Sequence, residues 1–127
     1  MLSLLLTVIL AAAPEPAPRL SPPPTVTCPR DHLTSYTGGV RSYRRTPQEL
    51  ALTIRTDWDT TESVRLAAPR VAEMTVRGVP FAASDWSRIE SPAGHARPGL
   101  RATAWVCDDG RPSVIDWQPP AAPTTPE

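Results

Sequence analysis

Cys28 and Cys107 are the residues of this chain whose spacing most constrains their chemistry. There is no C-x-x-C pair and the chain has only two histidines, so the cysteines fit no zinc-ligand spacing. One disulfide is their simplest use, and it requires an oxidising compartment. It would close a loop of about 80 residues, which a chain-entropy estimate values at about 4.5 kcal/mol.

The other chemically capable residues are scattered. His32, next to Asp31, has the side chain of a general base, and a small hydrolase or metal-dependent enzyme would use it with Asp57 and Asp59. Such an enzyme lacks an evident nucleophile here, because G-x-S-x-G is absent and both cysteines are committed. Asp57, Asp59 and Glu62 put three carboxylates within six residues, the density of a calcium loop, but the glycine that an EF-hand needs is missing. His95 lies in the turn-like stretch 91–95, and Asp108-Asp109-Gly110 reads as a hairpin turn. The sequence therefore names no catalytic residue, no metal ligand and no cofactor.

All 13 basic residues are Arg, and 13 acidic residues balance them. The absence of Lys and Asn points to a GC-rich, bacterial coding sequence. Because the charges are interspersed, no basic field exists to steer a polyanion, and nucleic acid is not expected as a partner. The expected partner is an unidentified small molecule or protein.

Residues 1–13 form an apolar run ending in Ala11-Ala12-Ala13, the pattern of a signal peptide. Pro14 and Pro16 stop it short of the roughly 20 residues a membrane span needs, so a membrane enters only through an uncleaved leader. Periplasmic or secreted localisation follows as the expectation. Residues 14–27, with six prolines, read as a polyproline-like tether, and residues 118–127 as a similar tail. Between them, residues 28–117 suffice for one small domain.

Within that domain the apolar period is mostly two. Leu50, Leu52, Ile54 and Trp58 share one face of a strand, opposite Thr53, Arg55 and Asp57. Leu100, Ala102, Ala104 and Val106 alternate likewise with Arg101, Thr103 and Trp105. Shorter strands are expected at 39–45, 63–67, 74–77 and 113–117, and a two-turn helix at 82–90. The expected core is Leu52, Ile54, Leu66, Trp86, Ile89, Ala104, Val106 and Ile115, with Arg55, Arg101 and Thr103 exposed.

The order strand, strand, strand (split in two), short helix, strand, strand resembles the OB-fold of small exported bacterial proteins, a mainly β, five-stranded barrel with its helix between strands three and four. The resemblance is one of element order alone. It implies that strand one lies antiparallel to strand four, which brings Cys28 within reach of Cys107. It also implies a ligand surface near the loops at 46–49 and 108–112. There Arg41, Tyr43 and Trp105 are the expected ligand-binding residues, with Arg45, Arg55 and Arg111 nearby, a set suited to anionic or planar ligands. The bland alternative makes Arg41, Arg44 and Arg45 solvated charges guarding a strand edge. The function expected from sequence is an exported, non-catalytic binding or accessory module. Alternatives are the His32 enzyme described above and a single-stranded nucleic-acid binder, which needs a positive groove with stacking aromatics.

Overall fold

The computed structural model describes residues 21–67 and 72–121. The expected leader, the first part of the tether and the last six residues of the tail lie outside them. Seven strands form one sheet: β1 (Leu33–Arg45), β2 (Glu49–Thr56), β3 (Thr61–Ala67), β4 (Thr75–Val76), β5 (Val79–Pro80), β6 (Arg101–Cys107) and β7 (Val114–Gln118). Their spatial order is β3-β2-β1-β6-β7-β4-β5. A 3-10 turn at Ala83–Asp85 leads into a short α-helix, α1 (Trp86–Ile89). Among the described residues no helix is long and apolar enough to cross a membrane.

Period-two alternation builds the core as the sequence implies. Leu50, Leu52 and Ile54 of β2 face Leu66 and Val64 of β3, and Ala102, Ala104, Ile115 and Trp117 continue the apolar face across β6 and β7. Ile89 closes it from α1. Trp86 and Val106 pack against this cluster and are only partly buried. Leu52→Ala or Ile54→Ala is expected to cost about 2–5 kcal/mol, because each leaves a cavity in a packed face. Urea unfolding checks this, and a loss below half a kcal/mol in either would contradict the assignment.

β1 is long enough to pair with β6 through residues 33–39 and with β2 through residues 38–45. Two local features let it turn between them. At Gly38 a Cβ would meet the carbonyl oxygen of Arg55 at 1.9 Å, so only glycine allows that approach. Between Val40 and Ser42 the register with β2 shifts by a bulge. A single extra residue reverses the alternation: Tyr36 and Val40 face inward before it, and Tyr43 and Arg45, opposite Leu52 and Leu50, face inward after it.

β1 and β6 are antiparallel with Leu33 opposite Cys107, and Cys28 and Cys107 form a disulfide. The sheet is not, however, a closed five-stranded barrel. The expected third strand divides: β4 leaves β3 and joins β7 in parallel through Thr75 and Val76, and no ladder joins β3 to β7 among the described residues. The helix is one α-turn after a 3-10 turn, shorter than 82–90. β2 ends at Thr56, so Trp58 leaves the inward row for the β2–β3 turn and is 90 % exposed. Asp59 holds a left-handed φ of 68° in that turn.

Thr103 and Trp105, expected on an outward face, are buried. Their strand lies between β1 and β7, and neighbouring groups cover that second face as well. Thr103 is bonded by the hydroxyl of Thr37 and the amide of Gln118. The segment before β1 is tied down by the disulfide, by Thr25 donating to the Glu73 carbonyl and by Arg111 donating to the Thr27 carbonyl.

Candidate functional site

The structure separates the residues an enzyme would need. His32 pairs through Nδ1 with Asp108 at 2.7 Å, at the Cys107 end of β6. Asp57 takes two bonds from Arg101, at 2.7 and 2.9 Å, at the opposite end of that strand. Six residues of β-strand put these ends about 20 Å apart. Asp59 pairs with Arg55 at 3.1 Å. Among the described residues no three His, Cys, Asp or Glu side chains gather as a metal site.

The three residues expected to bind ligand also part company. Arg41 is exposed. Tyr43 is turned inward by the bulge and packs edge-on against Trp117 with ring centroids 6.1 Å apart. Trp105, only 5 % exposed, presents no outward surface.

Tyr43 instead belongs to a polar cluster that ties α1 to β1. The carboxylate of Glu90, whose side chain is 2 % exposed, accepts two bonds from Arg45, Nε to Oε2 at 2.7 Å and Nη2 to Oε1 at 2.6 Å. The Tyr43 hydroxyl donates to Oε2, and the Gly94 N–H donates to Oε1 at 3.0 Å. Burial pushes the Glu90 carboxyl up, but the bonds from Arg45, Tyr43 and Gly94 outweigh it and hold the group below its ordinary value. Burial, and then the bond to Glu90, drive the Tyr43 phenol far above its ordinary value. The Arg45 guanidinium lies 4.1 Å from the centroid of Trp86, which meets Phe81 edge-on.

This clamp positions a basic cleft next to it. Arg88 projects from α1, and Arg97 follows the loop that Glu90 anchors through Gly94, with the Arg97 N–H bonded to the Ile89 carbonyl at 2.9 Å. Arg77 comes from the β4–β5 turn. With Ser87, Pro98, Pro119, Pro120 and Ala121, the three arginines line a cavity of about 560 Å³. Among the described residues neither Arg77 nor Arg97 pairs with a carboxylate: Arg77 donates to the Pro119 carbonyl at 2.8 Å and Arg97 to the Ser87 carbonyl at 2.8 Å. Arg88 shares Asp85 at 3.2 Å. Asp85 is held below its ordinary value, chiefly by the N–H of Ala82.

Arg77 also has an unusual backbone, with φ 48° ahead of Gly78 at 81°. Both central residues of this turn are left-handed, a geometry that favours Asn-Gly or Gly-Gly. Arg persists because Asp116 accepts the Gly78 N–H at 2.8 Å and Trp117 accepts the Arg77 N–H at 3.0 Å. The turn does not call for arginine, so its use there is in the guanidinium. No periodic signal marks these three arginines, since they come from a hairpin turn, a helix and a loop. The one hint in the sequence is that a residue poorly suited to an Arg77-Gly78 turn stands in it. No protein-family model, curated protein or solved structure matches this chain.

Proposed function

We propose that the chain is an exported, disulfide-stapled, non-catalytic binding module that takes an anionic ligand in the Arg77–Arg88–Arg97 cleft. The observation that carries this reading is the convergence of three guanidiniums, two of them without a carboxylate partner among the described residues, on one cavity of ligand size. Proline walls favour an anion with a flat apolar part over a bare ion. The order of elements, with β3 and β4 as a divided third strand and β1 antiparallel to β6, supports an open relative of the OB architecture. The disulfide and the apolar run at 1–13 support export to the periplasm or beyond.

Calorimetric titration with phenyl phosphate tests the ligand class. Saturable binding is expected, stronger than for inorganic phosphate and weakened by salt. Arg77→Gly suits the left-handed turn and removes only the guanidinium. It is expected to weaken binding by about tenfold or more, as is Arg88→Ala, without lowering the melting temperature. Absence of saturable binding, or affinity undiminished from wild type in both variants, contradicts the reading. Tighter binding of oligo(dT) at the same cleft would replace it with the nucleic-acid alternative.

A further inference from the structure

At the far end of the sheet, the β2–β3 turn holds Trp58 outward on a well-braced support. The Thr56 N–H donates to the Thr60 carbonyl at 2.8 Å, the two threonine hydroxyls are 2.6 Å apart, and the Asp57 N–H donates to the Thr37 carbonyl at 3.0 Å. Ion pairs from Asp57 to Arg101 and from Asp59 to Arg55 brace its flanks. Such a turn favours small polar residues, yet its tip carries an indole that is 90 % exposed. A single exposed apolar side chain is ordinary on a protein surface. This one borders a cavity of about 490 Å³, within the size range of ligand sites.

The polar groups on that cavity decide its chemistry. Thr37 and Thr56 spend their hydroxyls on Thr103 and Thr60, and Asp57 is neutralised by Arg101. Ser35 points to the other face of β1 from Tyr36, which leaves three groups at the cavity without a hydrogen bond or ion pair among the described residues: the hydroxyl of Tyr36, the indole N–H of Trp58 and the carboxylate of Glu62. They are a pure donor, a pure acceptor and one group able to do both. An organic cation would use only acceptors, and the Glu62 charge opposes a phosphate backbone. A ligand with many hydroxyls and a C–H face uses all three and stacks on the indole, whose negative π face attracts polarised C–H groups. We propose that this groove binds a neutral saccharide, with Trp58 as its stacking platform and Glu62 as its hydroxyl acceptor. The site shares no residue with the arginine cleft.

The indole N–H resonances of the four tryptophans offer a direct readout in the full domain. The Trp58 signal is assigned by its loss in Trp58→Phe, and the protein is then titrated with cellotriose, with chitotriose and, separately, with tetramethylammonium chloride. The expected result is a saturable shift of the Trp58 signal by at least one of the sugars, insensitive to salt. Calorimetry should show that affinity falls about tenfold or more in Trp58→Ala, falls less in Glu62→Gln, and is unchanged in Arg88→Ala. Three results overturn the proposal: no saturable shift with either sugar up to about 20 mM, undiminished sugar affinity in Trp58→Ala, or saturation by tetramethylammonium in place of the sugars. Trp58 is exposed, so its variants are expected to melt with the parent protein, and a melting curve checks this.

Discussion

Cys107→Ser is expected to lower the melting temperature by well over 10 °C. The Cys28–Cys107 bond links residues 79 apart in sequence, and releasing a loop of that length from the unfolded chain costs about 4.5 kcal/mol at most by loop entropy. For a domain near 90 residues each kcal/mol corresponds to roughly 4–8 °C. The same bond joins the segment with Thr25 and Thr27 to the end of β6, so its loss also loosens that segment. Thiol labelling of protein taken from its native compartment, without reductant, should find no reactive cysteine. Two labelled thiols would remove both the staple and the main support for export.

The second large effect is expected at the Arg45–Glu90 pair. Arg45→Met leaves a buried carboxylate without its main partner and is expected to cost about 3 kcal/mol at neutral pH. The sign with pH follows from the direction of the Glu90 shift. Because the folded carboxyl sits below its ordinary value of 4.5, its contribution is complete above that value. It is lost as pH falls from 4.5 through the folded pKa. In Arg45→Met the counter-charge is gone and burial dominates, so protonation relieves the variant. Urea unfolding at pH 7 and pH 3 should therefore show a gap between wild type and variant that narrows in acid. A loss under 1 kcal/mol at pH 7, or an equal gap at both values, contradicts this account. The clamp also bears on binding, since α1 and the loop before Arg97 hang from it.

Local periodicity and covalent chemistry are legible along a single chain. Alternation placed Leu52, Ile54, Leu66, Ala104 and Ile115 in the core, because side chains two apart on a strand share a face whatever lies beyond. Two cysteines behind a leader-like apolar start pointed to the disulfide, and the OB-like order anticipated the antiparallel pairing of β1 with β6. The candidate site was almost wholly hidden. One bulge after Val40 reversed the alternation of β1 and sent Tyr43 and Arg45 inward to Glu90, and a bulge depends on the partner strand as much as on its own residues. Trp105 is buried because β6 has a covered second face, which no pattern within β6 reveals. Trp58 continued the apolar period of β2 and yet stands in solvent, since hydrogen bonds between Thr56 and Thr60 end the strand two residues earlier. Arg77, Arg88 and Arg97 meet only because β4 crosses to β7 and Glu90 anchors the loop after α1. Those are contacts between distant segments, which no local pattern encodes.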